Sequence, residues 1–333
     1  MEPPHEGDSV TLVTSAHNEG QFLVEWVAFH SRLGFKKIIV VSNHCEDGSL
    51  ALLDRMDALG HITHERLAKD AEAGDRNAAV AQIWNQDTIR DTDWMLSLGV
   101  DQFLNLAPEF RTIRDLIASV GEADAILLLR RLFGNSYISR WSGGSVMKQF
   151  IKTQTKVLPK IAVYQAIFRI SRFNKAEWHL PKLPTPGKVI AKSSLGVRLN
   201  ADAFDLEGDS TSMIDESQMT FERASLNHYA VKSDDFYMIQ NSDDRNLESP
   251  EKLLKNRLHR RNNRNQKTDL SILARLEDFE TKMSELRADS EICRLEEQCQ
   301  SWFYQQRHDL LNEGEIKDQN IQSLPIIRFH RAI

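Results

Sequence analysis

The sequence predicts an α/β fold: a doubly wound, mostly parallel sheet with a helical C-terminal extension. Between residues 10 and 129, short apolar runs of strand length alternate with segments that carry apolar residues at helical spacing. Such β-α-β alternation is typical of a parallel sheet with right-handed crossovers. From about residue 269 to residue 311, apolar residues recur at helical spacing among many charges. That pattern predicts one long helix or two, packed on the body or on a partner.

The predicted elements begin with a strand over residues 10–14 and a helix that Asn18-Glu19 can open and Gly34 ends. β-Branched and apolar residues fill the second strand, at residues 37–42, as in an internal parallel strand. The remaining strands are expected around residue 62, over 94–98 and over 125–129, and the remaining helices over 50–59, 75–89 and 113–120.

The composition argues against several classes of protein. The chain is 41% hydrophobic and 27% charged, as soluble globular proteins are, and its formal net charge of −6 gives no global reason to expect a nucleic acid as partner. The polar N-terminus lacks the pattern of a signal peptide, and no run of about 18 apolar residues predicts a membrane span. Cys45, Cys293 and Cys299 are too scattered for a disulfide framework or a zinc site, so we expect a reducing, cytoplasmic location.

Four polar clusters follow the first four predicted strands, at residues 16–19, 43–48, 74–77 and 99–101. Because successive parallel strands present their carboxyl ends at one edge of a sheet, the clusters should converge on one crevice, where open α/β sheets bind ligands. Asp101 stands out, since it follows the apolar run 94–98 and Gly99. Taken singly, Asn18 and Asp75 are also typical helix caps, and Asp47-Gly48 is a typical turn.

An ordered set of short stretches runs through the chain: Asn18-Glu19 with Glu25-Trp26 and His30, Ser42-Asn43 with Asp47-Gly48, Asp93-Trp94 with Val100-Asp101-Gln102-Phe103-Leu104, Phe133-Gly134, Phe168-Arg169, His179 with Pro181-Lys182, and Asn227-His228-Tyr229 with Lys232-Ser233 and Phe236. The set resembles the bacterial family-2-like glycosyltransferases with a GT-A fold. The resemblance covers roughly residues 10–275.

The resemblance implies a GT-A-like fold and transfer of a sugar from a nucleotide-sugar donor to a glycan or other acceptor, in surface glycan or polysaccharide synthesis. Residues 8–135 would form the nucleotide-sugar-binding half, 136–265 the acceptor-side half of the same domain, and 266–333 the helical extension. The implied site residues are Asn18, Glu19, Asp47 and Arg76 for the nucleotide, Asp101 and His228 for catalysis and for Mn²⁺ or Mg²⁺, and His179 and Lys182 for the acceptor.

The chain departs from that family at the fourth strand. The similar enzymes usually carry Asp-x-Asp and then Glu there, and carboxylates two residues apart on an extended segment can hold Mn²⁺ or Mg²⁺ against a diphosphate. In this chain Gly99 stands at the first Asp position and Gln102 at the Glu position. Three outcomes are open: Asp101 and His228 keep a metal with water in the vacant place, Arg or Lys side chains serve the phosphates without metal, or catalysis is lost.

Other readings of the chain stay open as well. A nucleotide- or glycan-binding protein without catalysis is one alternative, and an interaction protein that self-associates through the helices of residues 270–310 is another. The region 140–198 holds twelve Lys or Arg and one acid, and it could meet an anionic acceptor, a membrane face or the donor phosphates. Inverting transfer needs a general base, for which the sequence offers Asp209, Asp215 and Glu216 without selecting one.

Overall fold

A nine-stranded sheet runs through the part of the chain that the computed structural model describes, namely residues 8–68, 71–72, 74–205, 220–241 and 250–313. The strands are β1 (Val10–Ala16), β2 (Lys37–Ser42), β3 (Thr63–Arg66), β4 (Trp94–Ser97), β5 (Gln102–Leu106), β6 (Ala125–Leu132), β7 (Lys152–Thr153), β8 (Tyr164–Arg169), β9 (Phe173–Lys175), β10 (Lys182–Pro184), β11 (Ala191–Ser193), β12 (Ala224–His228) and β13 (Lys267–Thr268). The sheet has the order β3-β2-β1-β4-β8-β6-β12-β5 with β11 beside β6, while β9 pairs with β10 and β7 with β13 outside it.

Most neighbouring strands of the sheet are parallel. β1 pairs in parallel with β2 and β4, β2 with β3, and β6 with β11 and β12. β8 is antiparallel to β4 and β6, and β5 is antiparallel to β12. β1 and β4 are buried along their whole length, as expected of strands that are covered on both faces.

Helices cover both faces of this sheet. They are α1 (Gly20–Ser31), α2 (Ser49–Ala58), α3 (Arg76–Trp84), α4 (Ile113–Val120), α5 (Val146–Gln149), α6 (Asp234–Gln240), α7 (Pro250–Lys255), α8 (Arg257–Asn262), α9 (Leu276–Arg287) and α10 (Ser290–Glu313). One core cluster gathers α1, α2, α4, α9 and α10, and a second gathers α3 with the segments around Phe173 and Trp178. The predicted class is therefore confirmed: an α/β, GT-A-like, doubly wound and mostly parallel sheet with a helical C-terminal extension.

Two elements differ from the sequence-based prediction. Residues 102–106, expected only as an apolar continuation after Asp101, form the separate strand β5, which joins the far end of the sheet against β12. The helix predicted over 75–89 is too long: α3 ends at Trp84, and a 3-10 turn follows at Asp87–Ile89. Ile89 lies in that turn and is buried. The helical spacing of buried apolar residues therefore continues past the end of α3, which explains the longer helix predicted.

The C-terminal extension consists of two helices that pack on the body. They cover the outer side of α1, whose residues from Gly20 to His30 are all buried. A Cβ at Gly20 would collide with Cys299 Sγ, so glycine permits the close approach of α10. The Arg55 guanidinium donates to both carboxylate oxygens of Asp289, at 3.2 and 2.5 Å, and so ties α2 to the loop before α10. The apolar residues Phe279, Leu286, Ile292, Leu295 and Phe303 are buried within the chain, whereas Leu270 is exposed. Self-association through these helices stays a prediction.

The structure bears on only some of the expectations about membrane spans, cysteines, the division of function and the general base. Among the described residues, no helix is long and apolar enough to cross a membrane. Cys45, Cys293 and Cys299 are free. The division of function at residues 135 and 265 stays a prediction, and Asp209, Asp215 and Glu216 lie outside the described residues.

Candidate active site at the carboxyl edge of the sheet

A tight turn joins β4 to β5 at the edge where the parallel strands end. The Gln102 backbone N–H donates to the Gly99 carbonyl at 2.9 Å, and the Gln102 side-chain oxygen accepts from the Gly99 N–H at 2.9 Å. From the side of α1, Trp26 Nε1 donates to the carbonyls of both residues, each at 2.9 Å. Gln102 is fully buried, so a neutral amide closes this turn where a carboxylate would have to be desolvated.

Gly99 leaves room for the side chain of Asp101. A Cβ at Gly99 would collide with Asp101 Oδ1, and the nearest cation, Arg76 Nη1, would lie 3.7 Å from it. The carboxylate of Asp101 therefore folds back over the glycine. Any residue with a side chain at position 99 would therefore force the Asp101 carboxylate to move.

Asp101 and His228 meet because β5 and β12 pair. In that register Gln102 lies opposite His228, and the Tyr229 N–H donates to the Asp101 carbonyl at 2.8 Å. His228 Nε2 then donates to Asp101 Oδ2 at 3.0 Å, with both side chains buried. Burial favours the neutral acid, but His228, Arg76 and Lys232 outweigh it and lower the pKa of Asp101 below its usual value. Asp101 is therefore a carboxylate at neutral pH.

Three further charged groups surround this pair. Glu19, immediately before α1, is 3% exposed, and its Oε1 has no hydrogen-bond partner among the described residues. Burial raises the pKa of Glu19 to about 7, an effect that Lys232 and Arg76 oppose and Asp101 reinforces. Lys232 follows β12 and is also buried, while the Arg76 guanidinium at the start of α3 lies 5.2 Å from the centre of the Trp178 ring.

Buried polar atoms without partners concentrate at this edge. In the described part of the chain they include Glu19 Oε1, Asn43 Nδ2 and Oδ1, Ser97 Oγ, Asp101 Oδ1, His228 Nδ1 and Lys232 Nζ. These atoms follow or end β1, β2, β4 and β12. Because buried polar atoms in native proteins nearly always find a partner, the cluster has the character of a polar ligand site.

The residues expected to bind the nucleotide divide into two groups. Glu19 and Arg76 lie among the charges around Asp101, whose pKa Arg76 helps to lower. Asn18 Oδ1 instead accepts from the Glu46 N–H at 2.7 Å. Asp47 accepts from the Gly20 N–H at 2.7 Å and from the Ser49 N–H and hydroxyl at 3.0 and 2.5 Å. Asn18 and Asp47 thus hold the loops that shape the crevice, and direct contact with a nucleotide stays a prediction for both.

The two residues expected to face the acceptor lie in different places. Gln165 on β8 donates through Nε2 to the carbonyls of Ser97 and Trp178 and accepts from His179 Nδ1 at 2.8 Å. His179 is thereby held beside the end of β4, at the same edge as Asp101. Lys182 is buried in β10, opposite Lys175 of β9. Neither role in acceptor binding is tested by these positions.

The residues present do not fit Mn²⁺ or Mg²⁺ well. In the described part of the chain, no three His, Cys, Asp or Glu side chains lie close enough together to hold a metal ion. Both ions prefer several oxygen ligands, whereas Asp101 offers one carboxylate whose Oδ2 is already bonded to His228. Lys232 belongs to the residues that carry the resemblance, but no local sequence signal assigns it a role in the site.

Comparison with known proteins connects this chain to enzymes that act on sugars. No family model matches it. It is 27% identical over 112 residues to a glycosyltransferase family 92 protein of Oryza sativa subsp. japonica, and 29% identical over 108 residues to one of Ricinus communis. The chain is similar to family 92 glycosyltransferases. The matches cover 33% and 32% of this chain but 18% of each plant protein, so the chain spans a small part of these relatives.

Two solved structures show partial likeness to this chain. S. aureus TarS 1-349 has a TM-score of 0.37 and 12% identity, with 92% of each chain covered. A mannosyltransferase of Pyrobaculum calidifontis in complex with GDP-Man and Mn²⁺ has a TM-score of 0.30 and 14% identity over 38% of this chain and 37% of that one. With scores this low, the fold of this chain rests on its own strand order.

We expect Gly99→Ala to displace the Asp101 carboxylate and lower the free energy of unfolding by about 1–3 kcal/mol, the usual cost of overpacking. Urea unfolding of a double-mutant cycle measures this. In an Asp101→Ala background the collision is gone, so the same alanine should cost much less. An equal cost in both backgrounds would contradict the placement of Asp101 over Gly99.

We also expect Glu19 to make the protein less stable as pH rises from about 4.5 to about 7. Its pKa is raised on folding, to about 7, so the folded state keeps a proton that the unfolded chain releases over this range. Glu19→Gln should therefore gain unfolding free energy relative to wild type between pH 5 and pH 8. The control is Glu122→Gln, at an exposed position, which should follow wild type. Identical pH profiles for wild type and Glu19→Gln would refute the buried, protonated Glu19.

Proposed function

We propose that this chain is a glycosyltransferase that takes a sugar from a nucleotide-sugar donor bound at the carboxyl edge of the sheet. The observation that carries the proposal is the cluster of buried, unpartnered polar atoms after β1, β2, β4 and β12. Such a site suits a ligand with many hydrogen-bonding groups, and the cations Arg76 and Lys232 suit an anionic one. The similarity to family 92 glycosyltransferases supports sugar chemistry.

The proposed reaction places the donor diphosphate among the charged side chains. The acceptor hydroxyl attacks the anomeric carbon and gives up its proton to a general base, while the bond from that carbon to the diphosphate oxygen breaks and its electron pair leaves with the nucleoside diphosphate. Arg76 would help to stabilise the negative charge that develops there. His179, held by Gln165 at the end of β4, would face the acceptor.

The finer parts of the proposal extend the resemblance. A bacterial, family-2-like enzyme of surface glycan or polysaccharide synthesis in the cytoplasm is the specific form that we propose. Its basic region, residues 140–198, would meet an anionic acceptor or a membrane face. The expectation of Mn²⁺ or Mg²⁺ comes from the resemblance alone, and it is opposed by the residues around Asp101, whose Oδ2 is already bonded to His228.

A second candidate function is a nucleotide- or glycan-binding protein without transfer activity. It is favoured by Gly99 and Gln102, which serve the turn after β4 instead of supplying carboxylates. Nucleotide binding without turnover of any donor sugar would support this candidate.

Thermal shift with UDP and GDP, followed by a screen of their sugar conjugates for transfer and hydrolysis, tests the proposal. We expect a nucleoside diphosphate to stabilise the protein, and Arg76→Gln to abolish most of that shift because it removes a cation from the site. Arg90→Gln is the matched control, since Arg90 also lies over a tryptophan, at 4.6 Å from the centre of the Trp84 ring, but before β4 at the opposite edge. No response to either nucleotide would contradict a UDP- or GDP-sugar donor site and leave only the glycan-binding form of the second candidate.

A further inference from the structure

Lys232 is held in an unusual place by the fold. It lies four residues beyond His228 and has a φ of +50°, a left-handed conformation that costs energy for a residue with a side chain. The next residues are locked: the Ser233 hydroxyl donates to Asp235, and Asp235 accepts from the Trp141 N–H and from Arg307 at 3.1 Å. This network fixes the start of α6 and with it the backbone of Lys232.

The ammonium group of Lys232 is enclosed and unused. The residue is 1% exposed, and Nζ has no hydrogen-bond partner among the described residues. It lies 4.2 Å from the centre of the Phe236 ring and 4.7 Å from that of Phe22, so aromatic faces provide part of its stabilisation. A buried ammonium with three free donors is costly. The presence of this buried ammonium at the carboxyl edge of the sheet therefore indicates an anionic ligand.

The charges around Lys232 leave little place for a divalent cation. Burial lowers the pKa of Lys232, an effect that Arg76 reinforces and that Asp101 and Glu19 oppose by favouring the charged ammonium. A metal ion at Asp101 would add two positive charges beside Lys232 and Arg76. Gly99 supplies no further carboxylate, and the space beside it is filled by the side chain of Asp101.

We propose that the Lys232 ammonium, together with Arg76, takes the part of the divalent cation at the donor diphosphate, so that nucleotide binding needs no metal. This inference rests on the proposed function. The geometry that carries it is the buried, unpartnered ammonium of Lys232 at an edge where the Asp101 carboxylate is already bonded to His228. Lys232 donates charge-assisted hydrogen bonds to the diphosphate oxygens, and it neutralises the charge they gain when the bond to the anomeric carbon breaks.

Calorimetric titration of the whole chain with UDP and GDP, in EDTA and in Mn²⁺, tests the proposal. We expect binding in EDTA, little changed by Mn²⁺. Lys232→Met should weaken it by about 10- to 100-fold, as expected for loss of hydrogen bonds to a charged group, while Lys232→Arg should retain part of it. Lys37→Met, which removes a surface lysine paired with Asp91, should bind as wild type does.

The stability of Lys232→Met separates a binding role from a folding role. Methionine has a similar volume and suits the two aromatic rings, so this variant should unfold at the wild-type temperature or above it. Binding that requires Mn²⁺ and is unchanged in Lys232→Met would overturn this inference and leave the proposed function standing. Absence of binding under both conditions would overturn the proposed function together with it.

Discussion

The hydrogen bond between Asp101 and His228 depends on one pairing, that of β5 with β12 at the end of the sheet. The two residues are 127 positions apart in the chain, and the antiparallel register that sets Gln102 opposite His228 brings them within 3.0 Å. That register requires the chain to leave β4, turn within residues 98–101 and enter β5. This turn also depends on Trp26 of α1, whose Nε1 donates to the carbonyls of Gly99 and Gln102. The site is thus fixed by the core beneath it.

The same constraint explains why two expected carboxylates are missing. At position 102 the side chain is buried and closes the turn, so an amide avoids the desolvation of a charge. At position 99 a side chain would collide with the Asp101 carboxylate. Introducing an acid at Gly99 would therefore move Asp101 and would not simply add a second ligand. The edge therefore keeps one charged carboxylate, Asp101, which is bonded to His228, and two cations, Arg76 and Lys232. Glu19 lies beside them, and because its pKa is raised to about 7, it is largely protonated below neutral pH.

Much of this arrangement follows from the sequence, but not all of it. The alternation of apolar runs predicts the parallel strands, and their shared carboxyl edge predicts that the polar clusters converge. The resemblance names Asp101 and His228, which the structure places in contact. The role of Gln102 and the missed strand β5 depend on contacts with Trp26 and β12, far away in sequence, which no local pattern contains. Lys232 was missed because only the packing of Phe22 and Phe236 around it distinguishes it from a surface lysine.

A crystal structure of the chain with UDP or GDP, grown in the presence of EDTA, tests the central claim most directly. We expect the diphosphate to lie at the carboxyl edge of the sheet, between Arg76 and Lys232, with its oxygens accepting hydrogen bonds from the Lys232 ammonium. A nucleotide bound elsewhere, such as in the cavity that Gln21, Phe279 and Arg287 line between α1, α9 and α10, would contradict it. So would a diphosphate at this edge that makes no contact with Lys232.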